Sequence, residues 1–79
     1  MAATATRVVV ARRFSPEKMR NARLWAGRTL PEVGAACGRH PETITDYEYG
    51  RRAPQATDLA AIANYLGVDV RSFFVPEEQ

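Results

Sequence analysis

From Ser15 onward, apolar residues recur at helical spacing in short blocks, and most blocks close on a glycine. The first block begins Ser15-Pro16-Glu17: an N-cap hydroxyl, a proline suited to the first helical position and an acid in the first turn. This predicts a helix from Pro16 to about Ala26, with Met19, Ala22, Leu24, Trp25 and Ala26 as apolar positions only partly facing inward and Gly27 as the left-handed stop. Thr29-Leu30-Pro31-Glu32 has the spacing of a capping box and opens a second helix over Leu30 to Cys37, ended by Gly38. Val33, Ala36 and Cys37 share one face of it. A third helix is expected from His40 or Pro41, with Ile44, Tyr47 and Glu48 inward and Gly50 as its end. A fourth spans Ala56 to Leu66, with Leu59, Ile62, Ala63 and Leu66 at helical spacing and Gly67 as its cap. Asp69 or Val70 opens a short last helix through Phe73 and Phe74, closed by Pro76.

The pattern before Ser15 differs. Residues 1–6 are small, whereas residues 7–14 alternate arginines with a β-branched run (Arg7, Val8, Val9, Val10, Arg12, Arg13) and read as a short strand or an extended arm. The predicted organisation is an arm over 1–14, a helical domain over 15–75 and an acidic tail over 76–79. The fold class is all-α: five short helices with a short extended N-terminal segment.

Composition narrows the function. A chain of 79 residues is one domain with a modest core. A single cysteine, Cys37, and a single histidine, His40, cannot build a cysteine-cluster metal site or a disulfide within the chain. No apolar run reaches the ~20 residues of a membrane span, and the start of the chain lacks the apolar core of a secretion signal. The expectation is a cytoplasmic protein with no cofactor, no metal and no small-molecule ligand. The net charge of +2 is compatible with nucleic acid without demanding it. No Ser/His/Asp set, paired carboxylates or phosphate-cradling glycine loop is present, so no enzyme is expected.

Two short helices joined by a tight glycine turn form a helix-turn-helix corner. Across residues 19–74 the sequence resembles the phage repressor/Cro family of DNA-binding regulators (the xenobiotic-response-element type). The resemblance rests on Arg23, Gly27, Thr29, Val33, Gly34, Gly38, Thr43-Ile44, Tyr47-Glu48-Tyr49-Gly50, Arg52, Pro54, Leu59, Ile62, Ala63, Leu66-Gly67-Val68 and Phe73. It implies a lambda-repressor-like fold, a bacterial or phage-encoded repressor, and duplex DNA as partner. A homodimer on a two-fold site is implied as well, because one recognition helix reads few base pairs. It also implies a structural ion pair between Arg23 and Glu48. Breaking such a pair when desolvated costs about 3–5 kcal/mol.

Carried over position by position, the base-reading candidates are His40, Pro41, Glu42, Thr43, Thr45 and Asp46, with Leu30 facing the groove from the second helix. The phosphate candidates are Arg28, Thr29, Arg39, Tyr49, Arg51 and Arg52, with Lys18 and Arg20 nearby. The chain departs from the family here. Glutamine usually stands where Leu30 is, and Gln, Ser, Arg or Lys are common where Pro41, Glu42 and Asp46 are. Between Thr29 and Tyr49 the acids are Glu32, Glu42, Asp46 and Glu48, against one arginine, Arg39. Glutamate or aspartate can accept from cytosine N4, and threonine can touch a thymine methyl. Equally, Glu42 can act as a first-turn acid and Asp46 as part of a solvated face. The acidic helix keeps open a second reading, a protein-interaction module on the same fold with an antitoxin-like or adaptor role. Arg7, Arg12 and Arg13 serve either a strand clasping a second subunit or an arm reaching the DNA minor groove.

Overall fold

The computed structural model describes residues 12–77. In chain order the elements are β1 (Arg12–Phe14), α1 (Pro16–Trp25), α2 (Leu30–Cys37), α3 (Pro41–Glu48), α4 (Ala56–Leu66), a 3-10 turn (Val70–Phe73) and β2 (Phe74–Pro76). The helix starts follow from their caps. Ser15 accepts from the Lys18 N–H, Thr29 and Glu32 form a reciprocal capping box, and the His40 ring caps α3. Gly38 and Gly67 end α2 and α4 in the left-handed region.

The core is a single cluster. Met19 of α1, Val33 of α2, Ile44 and Tyr47 of α3, Leu59, Ile62 and Ala63 of α4, and Phe73 are all buried together. Each helix buries residues of its expected face, though in α1 only Met19 and, in part, Ala22 do so. Ala26 is exposed, as are Leu24 and Trp25, the latter 89% exposed and outside the core. Leu24 and Trp25 fall on the outer side of α1, away from the inward row of Met19 and the half-buried Ala22.

Two expectations are corrected at the chain's end. The fifth helix is a four-residue 3-10 turn, so four α-helices stand where five were expected. Asp69 caps that turn, and hydrogen bonds from the Arg71 guanidinium and N–H hold its carboxyl down at about 2. Phe74 does not continue the turn. It begins β2, which pairs antiparallel with β1 in the register Arg12↔Pro76, Arg13↔Val75, Phe14↔Phe74. Pro76 therefore belongs to a strand and not to a tail. The Phe14 and Phe74 rings meet edge-to-face at 6.1 Å, and the Ser15 N–H donates to the Phe73 carbonyl at 2.7 Å, locking the ribbon onto the start of α1. Of the segment read as a short strand or an extended arm over residues 7–14, Arg12–Phe14 is a strand that pairs with its own chain. Arg7 and the valines lie outside the described residues.

Candidate nucleic-acid interface

The corner between α2 and α3 is built by close backbone approach. The Arg39 N–H donates to the Gly34 carbonyl at 2.8 Å, and a Cβ on Gly34 would lie 2.5 Å from the Arg39 carbonyl oxygen. Only glycine fits there, and Gly38 at φ 71 turns the chain between the helices. The inner edge of α3 is then held at three points: Ile44 in the core, Tyr47 in the core with its hydroxyl on α4, and Glu48 against α1.

The last of these is the Arg23–Glu48 pair. Arg23 Nε donates to Glu48 Oε2 at 2.7 Å and Nη2 to Oε1 at 3.0 Å, a bidentate fork, while Nη1 donates to the Arg28 carbonyl at 3.0 Å. The side chains are only 12% and 3% exposed. Hydrogen bonding to Glu48 raises the Arg23 pKa further.

With its inner edge fixed, α3 presents His40, Glu42, Thr43, Thr45 and Asp46 along its outer side, all exposed or half-buried. The His40 Nδ1 accepts from the Glu42 N–H at 3.1 Å, which assigns the ring proton to Nε2 and leaves that N–H for an outside acceptor. Thr45 donates its hydroxyl back to the Pro41 carbonyl at 3.3 Å, so its methyl and acceptor lone pairs are what it offers. Asp46 accepts from Arg51 Nη1 at 3.2 Å. Glu42 and Thr43 have no side-chain hydrogen bond among the described residues. Leu30 is half-buried and packs against the core, so only part of it faces solvent.

The expected phosphate contacts divide into two groups. Thr29 spends its hydroxyl on the capping box, donating to Glu32 Oε1 and accepting the Glu32 N–H, both at 3.2 Å. The Thr29 backbone N–H, which donates to Glu32 Oε1 at 2.8 Å, and then the Thr29 hydroxyl hold the Glu32 carboxyl below its ordinary range. Arg28 lies 3.9 Å from Glu32 with its guanidinium over the Tyr65 ring, 5.2 Å from the centroid. Arg39 is the most committed. Its Nε donates to Asp58 Oδ2 at 2.9 Å and its Nη2 to Gln55 Oε1 at 3.3 Å. Arg51 lies over the exposed Tyr49 ring at 5.1 Å, and Arg52 is exposed with no carboxylate partner among the described residues.

Asp58 is the residue that sequence reasoning missed. It is buried, accepts from the Tyr47 hydroxyl at 2.7 Å as well as from Arg39, and so joins the corner, α3 and α4. In the sequence it reads as an ordinary first-turn acid. The nearest signal is Arg39, a base inside a helix corner that otherwise carries acids. Among the described residues no group of His, Cys, Asp and Glu side chains could hold a metal ion, and no helix is long and apolar enough to cross a membrane.

The fold and the corner define a class: a four-helix domain carrying a helix-turn-helix of the phage-repressor type. The profile of the helix-turn-helix domain family matches residues 17–72, and the chain belongs to that family. Solved structures that share the fold include the following three. The P22 c2 repressor in complex with synthetic operator 9T superposes with a TM-score of 0.70 at 18% identity, covering 77% of this chain and 92% of that one. The restriction-modification controller protein C.AhdI from Aeromonas hydrophila gives 0.70 at 19% identity, covering 75% and 89%. The clp gene regulator ClgR from C. glutamicum gives 0.68 at 28% identity, covering 73% and 75%. No curated protein matches the sequence.

Proposed function

We propose that this protein is a non-enzymatic transcriptional regulator, repressor- or Cro-like, that binds duplex DNA with α3 in the major groove and acts as a homodimer on a two-fold site. The observation that carries the reading is the rigid mounting of α3. One side is locked by Ile44, Tyr47 and the Arg23–Glu48 fork, while the other presents polar side chains to solvent. A helix held this way projects a fixed set of side chains, as base reading requires. The P22 c2 repressor, of the same fold, is seen in complex with a synthetic operator.

On this reading His40, Glu42, Thr43, Thr45 and Asp46 face bases, with Pro41 setting the start of the helix. Arg51, Arg52, Arg28 and Tyr49 hold phosphates. Arg39 belongs to the frame through Asp58, and Thr29 acts through the α2 N-terminus. Two copies with recognition helices about one helical turn apart supply the selectivity that one helix lacks.

The test is repeated selection of the purified protein on random duplex DNA, beside an Arg51→Ala/Arg52→Ala variant. Enrichment of a two-fold motif, lost in the variant, is expected. Absence of retention even at low salt overturns the reading and turns attention to a protein partner for the acidic face of α3.

A further inference from the structure

The cations of this domain are unevenly committed. Arg23, Arg28, Arg39, Arg51 and Arg71 each have a carboxylate within 4 Å. Among the described residues, Arg12, Arg13, Lys18, Arg20 and Arg52 have none. Arg52 lies in the loop after α3; the other four lie on β1 and the first half of α1. Three of them, Arg13, Lys18 and Arg20, line one groove of about 650 Å³ between the ribbon and α1. Glu17 is the groove's one acid.

This groove is not isolated from the recognition corner. A smaller hollow of about 290 Å³, lined by Pro16, Glu17, Arg20, Glu48 and Tyr49, shares Glu17 and Arg20 with it. Pro16 Cγ lies 3.6 Å from where a Gly50 Cβ would stand, so the first turn of α1 abuts the turn that leads to Arg51 and Arg52. The Arg20 Nε is buried with no hydrogen-bond partner among the described residues. Arg20 itself is half-buried and lines both hollows, so its guanidinium, with no carboxylate partner among the described residues, keeps donors for an outside acceptor. Phosphate oxygens are such acceptors, and unpaired arginine and lysine are the groups that release counterions on binding them.

We infer that the groove between the ribbon and α1 is a second backbone-binding surface, which takes the phosphates of duplex DNA flanking the segment read by α3. The contact runs from Arg51 and Arg52 past Tyr49 to Arg20, Lys18 and Arg13. It carries no base information; it lengthens the footprint and steepens the response to salt. The inference rests on the DNA-binding reading, and its test separates the two.

The full-length chain is titrated, across a range of KCl, with mixed-sequence duplexes of about one and about three helical turns. The exposed pair Arg13→Gln/Lys18→Gln is compared with wild type, with Arg20→Gln as a second variant and Arg71→Gln as a control outside the groove. On the long duplex the log–log salt slope falls by roughly 1.8 in the double variant and roughly 0.9 in Arg20→Gln, at about 0.9 per phosphate. On the short duplex the variants match wild type, and Arg71→Gln leaves both slopes unchanged. Thermal unfolding by circular dichroism confirms that each variant is folded. Equal slopes for wild type and the double variant on the long duplex overturn the inference and leave the DNA reading standing. So does an equal drop in Arg71→Gln, which marks a diffuse charge effect. Failure of wild type to bind either duplex removes both.

Discussion

Removing Arg23 strands a Glu48 carboxylate that is 3% exposed and already bonded twice to the lost guanidinium. The cost of an orphaned buried charge is about 3–5 kcal/mol, and at ~4–8 °C per kcal/mol in a domain this small, Arg23→Ala should melt at least ~12 °C below wild type. Arg23→Met/Glu48→Leu, which removes both charges and keeps apolar volume, should recover most of that loss in the same thermal scan. A double variant as unstable as the single one would show that the fork is more than a matched pair. Cys37 makes a different prediction. Burial raises its thiol pKa, the Asp58 charge adds to this, and Sγ donates to the Val33 carbonyl at 3.6 Å. Burial and its hydrogen bond to Asp58 raise the Tyr47 pKa in the same sense. Both groups hold their protons more tightly folded than unfolded. Their contribution to stability is therefore complete below the unfolded pKa and is lost as pH rises through the folded one. Stability should decline from about pH 8.5 upward. Cys37→Ala should flatten the early part of that decline in denaturant titrations. Iodoacetamide should label Cys37 far more slowly in the native protein than in urea at the same pH.

The helix-turn-helix corner depends on two glycines for different reasons. Gly34→Ala drives a Cβ to 2.5 Å from the Arg39 carbonyl oxygen, a backbone atom that cannot swing aside. The expected loss is at least the ~1–3 kcal/mol of overpacking. Gly38→Ala meets open space and suffers only from its φ of 71, about 1–2 kcal/mol. Urea midpoints should therefore place Gly34→Ala below Gly38→Ala; the reverse order would mean that the corner relaxes where its backbone looks tight. Such ends were legible in the sequence because caps and glycine stops are local. Ser15, Thr29-x-x-Glu32, Gly38 and Gly67 each act within a few residues, so α2 and α4 fall on Leu30–Cys37 and Ala56–Leu66 as their patterns indicate. What escaped was non-local. Phe74–Pro76 is a strand because Arg12–Phe14 lies alongside it, sixty residues earlier in the chain. Asp58 looks like a helix-capping acid until Tyr47 and Arg39 converge on it. Trp25 carries an apolar label that says nothing of which side of α1 it occupies. Of the candidate site, the inner face of α3 could be read from spacing and its outward positions only from the family resemblance, whereas the division of arginines into paired and unpaired required the fold.

Over the whole molecule, the surface that the proposed function assigns to DNA is a balance between carboxylates on α3 and arginines around it, and Asp46 is the point where the two meet. It is half-exposed, it accepts from Arg51 at 3.2 Å, and Arg51 lies over Tyr49 at the edge of the smaller hollow lined by Arg20. In the free protein Asp46 thus cancels one of the charges best placed for phosphate. An exposed pair of this kind contributes little to stability, so Asp46→Asn should fold as wild type does. It removes a negative charge that repels DNA and releases Arg51. On mixed-sequence duplex it should therefore bind more tightly than wild type, because Arg51 no longer gives up a carboxylate in order to hold its phosphate. Asp46 has a second possible effect on the selected site. If its carboxylate accepts from a cytosine N4, Asp46→Asn should lose roughly 1–3 kcal/mol of preference for that base, so that general affinity rises while discrimination falls. If the carboxylate only restrains Arg51, both duplexes should gain equally. Weaker binding on mixed sequence would contradict both roles and show that the Asp46–Arg51 pair is needed to hold the loop in its binding position.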